Sequence, residues 1–466
     1  MINDNGLLKF DSMNTIKIFT LLLFSLLILS SCNDEDEYTW TDIPNSEVKP
    51  VTAHNKVIYE VNVYSYSSGH NFKGLESDLP RLKELGIDIL WLMPIHPRGE
   101  ENRAGTLGSP YSVKDYKAIN PDYGTSEDFK SLVNTAHAMG MEIWLDWVAN
   151  HTAWDNVWVA GHLDYYAEKD GERPYAPGGW LDVIQLDHTN AEMRTAMADA
   201  MKYWLTEFDI DGFRFDAADF VPLDFWRELR KEVDKVKKVT WLSEGSDPAY
   251  MEVFDYDYAW DFATALKDFG AENDVPVLID ECKKLFNDAA YKNKGRMVYI
   301  TNHDLNAYEG SEFDRYGNNV LPLAVLSFTI YDMPLIYNGQ EIGMNKSMNF
   351  AEPVMVDWNP ANKVYVNLYQ KLTRLKRTQP ALEDGANRGA LKIYSTNDES
   401  LFAYSRIKGD NEILVLLNFA QVPKRLRFTQ ESPAGKFKDY LNGGYREFSA
   451  GNGISLHENG YAIFVR

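Results

Sequence analysis

The first part of the chain alternates between short apolar runs and longer segments with apolar residues at helical spacing. Residues 87–93 form a nearly continuous apolar run, whereas residues 75–85 carry leucines three or four positions apart. Unbroken apolar runs are typical of strands buried on both faces of a parallel sheet. A spacing of three or four indicates one face of a helix. The alternation of the two patterns predicts a parallel α/β fold.

Eight strand and helix units of this kind follow one another before the pattern changes. They predict a (β/α)8 TIM barrel that is enlarged by insertions. The predicted strands are 57–64, 87–93, 141–147, 210–215, 239–243, 254–258, 297–301 and 334–337. The predicted helices are 75–85, 129–139, 192–208, 225–236 and 365–376.

Two segments depart from this alternation. Residues 152–190 are rich in Trp, Tyr, Gly and Asp without clear periodicity, which predicts an insertion after the third strand. From about residue 386, apolar residues recur at every second position, in 391–394, 401–404, 413–417 and 461–464. A period of two indicates strands with one buried face. We therefore expect the (β/α)8 barrel, with its insertion at about 152–190, over residues 51–385 and a separate all-β domain over 386–466.

The N-terminus has the pattern of a targeting segment. Lys17 precedes an apolar run, 18–29, that is too short to span a bilayer and has the length of a signal-peptide core. The run ends in small residues before Cys32, which resembles a bacterial lipoprotein cleavage box. Residues 1–31 are then the signal peptide and Cys32 the lipid attachment site. Met13 is an alternative start, because the first twelve residues add nothing to the signal.

The acidic residues that follow Cys32 refine this expectation. Residues 32–50 are polar and contain two prolines, which is typical of a tether. The acidic run 33–37 is either a solvated linker or, by resemblance, a surface-export signal of Bacteroides-like bacteria. The sequence therefore predicts an outer-membrane lipoprotein, exposed on the cell surface.

Composition narrows the class of partner. The net charge of −22 disfavours nucleic acid and anionic membrane surfaces, because both are polyanions. The 12 Trp, 27 Tyr and 23 Phe either pack the core or offer flat surfaces for sugar rings. Apart from Cys32, Cys282 is the only cysteine, so no disulfide is expected in a chain with an acylated Cys32.

Charged residues stand at the ends of four predicted strands. The third strand leads into Asp146 and His151, the fourth into Arg214 and Asp216. The fifth leads into Glu244, and the seventh into His303 and Asp304. The C-terminal strand ends of a barrel surround one site, so these side chains are expected to converge.

Arg214 and Asp216 are two residues apart and share one face of their strand. Taken alone, the pair has two interpretations. A cation keeps a neighbouring carboxylate ionised, as a nucleophile requires. A structural ion pair that closes a strand does the same. The other charged strand ends favour the catalytic interpretation.

These segments resemble the motifs of the α-amylase family of glycoside hydrolases. Asp146 to His151 resembles DxxxNH, Gly212 to Asp216 resembles GxRxD, and Asn302 to Asp304 resembles NHD, with Glu244 between them. Segments 120–124 and 339–341 are also similar to the family. The resemblance covers about residues 51–466, and it implies a barrel with a small inserted domain and a C-terminal β-sandwich.

The resemblance implies a catalytic set. Retaining cleavage of an acetal needs a nucleophile and an acid/base on opposite sides of the bond. Asp216 is expected to be the nucleophile, Glu244 the acid/base with a raised pKa, and Asp304 the third carboxylate. The expected substrate-binding residues are Tyr111, which would stack on the sugar ring, His151 and His303, which would bond its hydroxyls, and Arg214, which would position Asp216.

The chain also departs from the family pattern. Asp219 and Phe220 stand where the family often has Lys-His, and Gly245 follows Glu244 in place of a bulky aromatic residue. Gln185 stands where an Asp usually helps Asn150 to bind calcium. We therefore expect no metal ligand set and no cofactor, with calcium the one doubtful case. We also expect an atypical leaving-group side and an open cleft or shallow pocket for shorter glucans.

The leading hypothesis is a retaining hydrolase of mainly α-1,4 bonds in starch-derived glucans or malto-oligosaccharides. An α-1,6-glucosidase and a transglycosylase would use the same three carboxylates, so the sequence leaves them open. A glycan-binding surface protein on an inactive barrel is a further alternative, although it would be expected to lack a catalytic carboxylate. The only membrane association expected is through the N-terminal lipid.

Overall fold

The structure is a computed structural model, and it describes residues 55–358, 362–449 and 451–466. The predicted signal peptide, Cys32, the whole tether and residues 51–54 of the predicted barrel domain lie outside these residues. Within the described ranges, no helix is long and apolar enough to cross a membrane.

Eight parallel strands close into a barrel, as the alternating pattern predicted. Their order around the barrel is β1-β10-β9-β8-β7-β6-β3-β2. The barrel strands are β1 (Ile58–Val61), β2 (Ile89–Leu92), β3 (Glu142–Val148), β6 (Gly212–Asp216), β7 (Thr240–Ser243), β8 (Tyr256–Tyr258), β9 (Gly295–Val298) and β10 (Met333–Tyr337). Between β3 and β6, β4 (His151–Ala153) and β5 (Val183–Gln185) form a two-stranded antiparallel sheet in the insertion.

Twelve α-helices lie within the described residues. They are α1 (Val63–Tyr66), α2 (Phe72–Ser77), α3 (Leu79–Leu85), α4 (Ser126–Ala138), α5 (Ala191–Phe208), α6 (Leu223–Val233), α7 (Trp260–Glu272), α8 (Val275–Asn287), α9 (His303–Glu309), α10 (Glu312–Tyr316), α11 (Val320–Thr329) and α12 (Lys363–Thr378). The sequence predicted one helix, over 75–85, where α2 and α3 lie, and it missed α7 to α11.

Three predicted boundaries were wrong for local reasons. The first strand does not reach residue 64, because the Asn62 side chain accepts the N–H groups of Tyr64 and Ser65 and so caps α1. The helix predicted over 75–85 is divided at Asp78, which ends α2 and precedes a segment with proline in its first turn. The seventh strand ends at Val298 rather than at residue 301.

Large apolar side chains fill the barrel interior below the site. This buried cluster includes Ile58, Trp91, Trp144, Leu242, Met297 and Met333. Gly212 makes room for one of them, since a Cβ atom there would lie 2.6 Å from the Trp144 ring. The barrel is therefore a packed core, and only its C-terminal end is open for a ligand.

Two antiparallel sheets form the C-terminal part of the chain. A six-stranded sheet has the order β11-β12-β13-β18-β15-β16, and β14 pairs with β17. The strands are β11 (Ala390–Tyr394), β12 (Leu401–Lys408), β13 (Asn411–Asn418), β14 (Lys424–Arg427), β15 (Gly435–Asp439), β16 (Tyr445–Phe448), β17 (Gly453–Leu456) and β18 (Tyr461–Val465). Leu426 and Leu456 of the smaller sheet pack in one core with Leu414 and Phe464 of the larger, which makes this part a sandwich.

The barrel and the sandwich share buried polar contacts. The Arg406 side chain on β12 is fully buried and donates to the carbonyls of Thr329, Tyr331 and Gly389. The Thr329 and Tyr404 hydroxyls are 2.6 Å apart. Strand β12 of the sandwich is therefore held against the end of α11.

Candidate active site

Arg214 is the buried centre of the site. It lies opposite Asp146 in the register of β3 and β6, and both side chains are fully buried. Its Nη1 lies 2.8 Å from Asp146 Oδ1 and 3.2 Å from Asp216 Oδ1, and its Nη2 lies 2.7 Å from Glu244 Oε2. One guanidinium thus contacts three carboxyl groups, which lowers the cost of burying those that are ionised. Burial raises the pKa of Asp146 to about 8, with Arg214 opposing the shift.

Aromatic rings enclose this cation. The rings of Trp91, Tyr111 and Tyr258 have their centroids 5.1, 5.7 and 5.5 Å from the Arg214 guanidinium carbon. Arg214 Nε donates to the Tyr258 hydroxyl at 3.1 Å. These contacts fix the guanidinium plane, and with it the positions of the carboxylates that it contacts.

Asp216 and Glu244 are held close together by the backbone that follows β6. Ala217 has a left-handed conformation with φ of 47°, uncommon for a residue with a Cβ atom. This turn directs the Ala217 N–H at Glu244 Oε2, 2.8 Å away. Burial raises the pKa of both carboxyl groups and Arg214 opposes the shift, while the Asp216 charge further raises the pKa of Glu244.

Asp304 and His303 approach from the start of α9. His303 Nε2 lies 3.2 Å from Asp304 Oδ2 and 2.7 Å from the Tyr111 hydroxyl. The Tyr111 and His303 rings are stacked, with centroids 5.2 Å apart. Burial raises the pKa of Asp304 to about 6, although the neighbouring His303 lowers it. The loop after β2 and the segment after β9 therefore meet at one wall of the site.

Glu60, at the end of β1, supports this wall from below. It is fully buried, its Oε1 contacts His303 Nδ1, and its Oε2 accepts the His303 backbone N–H at 3.3 Å. Burial raises the pKa of Glu60 to about 8, with Arg214 opposing the shift.

His151 also lies beside Asp216. Its Nε2 is 4.0 Å from Asp216 Oδ2, and burial lowers its pKa to about 4, so the ring is neutral at pH 7. The Trp180 ring from the insertion lies 5.5 Å from the His151 ring.

All seven predicted catalytic and substrate-binding side chains meet around one cleft of about 810 Å³, six of them in its lining and Arg214 buried beneath them. Two pairs of aromatic rings also line the cleft. Trp180, beside His151, and Phe220 have ring centroids 6.0 Å apart, and Phe220 is 70% exposed. Tyr308, also 70% exposed, contacts Phe350 with ring centroids 5.9 Å apart, and Phe350 lies beside His303. Exposed rings near a carboxylate cluster suit a chain of sugar rings.

Comparison with known proteins gives the family. The model for the alpha-amylase catalytic domain matches residues 44–181 and 175–379, which is well over half of the chain. The chain belongs to the alpha-amylase family. It is thus a glycoside hydrolase.

Solved structures of alpha-amylases share the fold over most of the chain. A maltogenic alpha-amylase, AmyB, from Thermotoga neapolitana is 31% identical with a TM-score of 0.79, covering 88% of this chain and 98% of that one. An alpha-amylase from Lactobacillus plantarum is 30% identical with a TM-score of 0.78, covering 88% and 99%. Alpha-amylase 2 of Dictyoglomus thermophilum is 25% identical over 470 residues, covering 91% of this chain and 77% of its own length.

Two departures from the alpha-amylase pattern are coupled in space. Asp219 Oδ2 accepts the backbone N–H groups of Ser246 at 2.7 Å and Asp247 at 3.3 Å, so it holds the segment after Glu244. A Cβ atom on Gly245 would lie 2.3 Å from Asp219 Oδ1 and 2.6 Å from Ser243 Oγ. The carboxylate of Asp219 therefore occupies the space that a side chain at residue 245 would need.

The residues aligned with the alpha-amylase calcium site do not fit a tightly bound cation. Gln185 Nε2 donates to Asn150 O at 2.8 Å, to Asn150 Oδ1 at 3.0 Å and to Leu186 O at 3.3 Å. These three oxygens thus accept from a single amide group, which carries no negative charge to attract a cation. Across the ranges that the structure describes, no group of three or more His, Cys, Asp or Glu side chains is arranged to hold a metal.

Sequence reasoning missed two residues of the site, Glu60 and Trp180, and the contacts of a third, Asp219. Glu60 is the only charged residue of an otherwise apolar buried strand, a signal that could have been noticed. Trp180 lies in an insertion without periodicity. The hydrogen bonds of Asp219 connect segments 27 and 28 residues apart, and neither its motif position nor its spacing indicates them.

Proposed function

We propose that this enzyme hydrolyses α-1,4 bonds in starch-derived glucans or malto-oligosaccharides with retention at the anomeric carbon. The observation that carries the proposal is the set of Asp216, Glu244 and Asp304 around one cleft, with Asp216 and Glu244 held on the two Nη atoms of Arg214. A retaining enzyme needs two carboxyl groups close together, with no room for a water between them at the first step.

In the first step, Asp216 attacks the anomeric carbon and the bond from that carbon to the leaving oxygen breaks. Glu244 gives its proton to this oxygen, and a glycosyl ester on Asp216 remains. In the second step, Glu244 takes a proton from water, whose oxygen attacks the same carbon and releases Asp216. Two inversions give net retention. Asp304 and His303 would bind hydroxyls of the sugar that reacts, and Tyr111 would stack on its ring.

The exposed rings of Phe220, Trp180 and Tyr308 in the cleft support a glucan of more than one sugar as substrate. The curated relatives include proteins named maltogenic alpha-amylase and cyclomaltodextrinase, which are 26% and 25% identical. These names support short or cyclic α-glucans as a substrate class. The α-1,6-glucosidase and transglycosylase alternatives use the same carboxylates, so the products must distinguish them.

The test is a product profile on maltoheptaose, panose and pullulan, with the anomer of the first product followed by NMR. We expect cleavage of maltoheptaose and of the α-1,4 bond of panose, with the α-anomer formed first. Asp216→Asn should lower the rate by several orders of magnitude, because the nucleophile is lost with little change in volume. A first product in the β-anomer, or a variant that retains more than a tenth of the rate, would contradict the mechanism.

A further inference from the structure

We propose that Glu60 is a positioning residue for the reaction, which holds the His303 ring through Nδ1 and keeps a proton on Nε2 toward the sugar and Asp304. The inference rests on the proposed function, since that function places His303 at the substrate. Its basis is the pair of contacts between the Glu60 carboxylate and both the ring and the backbone N–H of His303.

The two contacts fix the ring in two respects. Oε2 accepts the backbone N–H, so the carboxylate cannot move away from the start of α9. Oε1 contacts Nδ1, so rotation of the imidazole would break a buried bond. Within the described residues, Glu60 is the hydrogen-bond partner of Nδ1, and a buried ring nitrogen left without a partner would destabilise this position of the ring.

The contacts of Nε2 determine where the proton must be. Asp304 Oδ2, 3.2 Å away, can only accept when it is ionised. The Tyr111 hydroxyl lies 2.7 Å from Nε2 and donates to Asp146 Oδ2 at 3.1 Å, and in this arrangement its oxygen accepts from a protonated Nε2. Both neighbours of Nε2 are therefore acceptors, and a bare nitrogen there would face two lone pairs.

Glu60 is compatible with this state in either of its forms. As a carboxylate it accepts from Nδ1–H of a ring that carries protons on both nitrogens. As a carboxylic acid it donates to Nδ1, and the proton of the neutral ring is then on Nε2. Burial raises the pKa of Glu60 to about 8 and lowers that of His303, which favours the second form near neutral pH. The charged and titratable groups that act on His303 are Glu60, Arg214, Asp216, Glu244 and Asp304, with Tyr111 in contact.

Two variants of nearly equal size separate hydrogen bonding from shape. In Glu60→Gln, the amide oxygen can accept the His303 backbone N–H while the amide nitrogen donates to Nδ1, so Nε2 keeps its proton. In Glu60→Met, the volume is similar but Nδ1 loses its partner. We expect Glu60→Gln to stay within about threefold of the wild-type kcat and Glu60→Met to lose at least about tenfold, with less change in KM.

A double-mutant cycle tests whether Glu60 acts through His303. In a His303→Ala background, Glu60→Met should cost little further activity, because the ring that it positions is gone. Glu341→Gln is the matched control, since Glu341 is equally buried but bonds Tyr59 and Arg81 outside the cleft. It should lower the melting temperature without lowering kcat at a temperature where the variant is folded.

A spectroscopic measurement decides the proton's position without any need for turnover. The protein has nine histidines, and ¹⁵N NMR of histidine-labelled protein, with His303 assigned by its absence in His303→Ala, reports the protonation of each ring nitrogen. Protonated Nε2 in the wild type and in Glu60→Gln supports the proposal. Bare Nε2 in the wild type would overturn it, as would equal kcat losses in the two Glu60 variants or a Glu60→Met enzyme within threefold of wild type. An inactive wild type would instead contradict the proposed function and leave the NMR result to decide on Glu60.

Discussion

At the scale of single residues, the site depends on one cation shared by several acids. Arg214 contacts Asp146, Asp216 and Glu244, so the pKa of each acid depends on the charge of the others. Burial raises the pKa of Glu244 and the charge of Asp216 raises it further. An acid that must donate at neutral pH needs such a shift.

Glu244→Gln should therefore lose the alkaline limb of the pH profile. In the wild type, kcat/KM is expected to fall as the pH rises through the pKa of Glu244, and a raised pKa places this fall above the range of an ordinary glutamate. The variant should lose about 10²- to 10⁴-fold on natural glucans, and much less on activated aryl glucosides, whose leaving group needs no proton. Equal losses of kcat/KM on both kinds of substrate, measured in parallel, would contradict the assignment of Glu244 as the general acid.

At the scale of elements, the loops after β6 and β7 form one unit. Asp219 after β6 accepts two backbone N–H groups after β7, and Gly245 leaves the space that the Asp219 carboxylate fills. The segment that carries Glu244 is thus placed by a residue from a neighbouring loop.

Gly245→Ala should disturb this unit, because a new methyl group would lie within 2.3 Å of Asp219 Oδ1. Overpacking of this kind typically costs about 1–3 kcal/mol. We expect a lower melting temperature and a lower kcat. In an Asp219→Ala background, the same change at residue 245 should cost less, and strictly additive effects would contradict the coupling.

The contact between β5 and the end of β3 leads to a prediction about calcium. The Gln185 amide already donates to the oxygens that would face the ion, so chelator treatment of the wild type should change activity and melting temperature little. Gln185→Asp restores a carboxylate, and added calcium should raise its melting temperature, because a ligand of the native state at a hundredfold excess over Kd stabilises by about 2.7 kcal/mol. A fall of more than a few degrees in the chelated wild type would refute this prediction.

Elements could be predicted where a local pattern exists. Most of the barrel strands are short apolar runs followed by polar residues, and both features are visible in the chain. The seventh strand, β9, contains Gly295 and Arg296, and its bounds were predicted wrongly. Helix α11 was missed because it is apolar and buried on all sides, so it has no amphipathic period. In α8, by contrast, the buried Val275, Leu278, Cys282 and Leu285 do have helical spacing, and that signal was overlooked.

The residues of the site were likewise predictable only where a local sequence pattern exists. Residues at strand ends were predicted to converge, and they lie around one cleft. The contact between Glu60 and His303 joins residues 243 positions apart, and no local pattern indicates such a pair. The steric conflict between the Asp219 carboxylate and a side chain at residue 245 likewise depends on the three-dimensional structure. In the sequence, the two residues were only separate departures from a motif.

At the scale of the whole molecule, Arg406 joins the sandwich to the barrel. Arg406→Met would leave the carbonyls of Thr329, Tyr331 and Gly389 without this donor. An unsatisfied buried acceptor costs about 1–3 kcal/mol, so we expect the unfolding free energy to fall by about 3 kcal/mol or more. Arg425 on β14 is exposed, and Arg425→Met is the control that should stay within about 0.5 kcal/mol in the same denaturation experiment. Equal melting of the two variants would show that Arg406 does not hold the parts together.

We also propose that the enzyme works as a lipid-anchored protein on the cell surface, with Cys32 acylated after removal of residues 1–31. Cys32→Ala should release the protein from the membrane fraction or block its processing. Replacement of the acidic residues 34–37 by alanine should leave it anchored but lower its accessibility to protease on whole cells. Unchanged accessibility would count against surface export, while membrane association without Cys32 would count against the lipid anchor.

The steric conflict between Asp219 and a side chain at residue 245 also limits how the sequence of such an enzyme can evolve. An ancestor with an aromatic side chain at residue 245 could not acquire the Asp219 arrangement without a clash, and the reverse step meets the same barrier. The two positions should therefore be exchanged together in lineages, with few living sequences that hold one half of the pair. Grafting the leaving-group side of a relative's site into this enzyme would require residues 219 and 245 to be changed together.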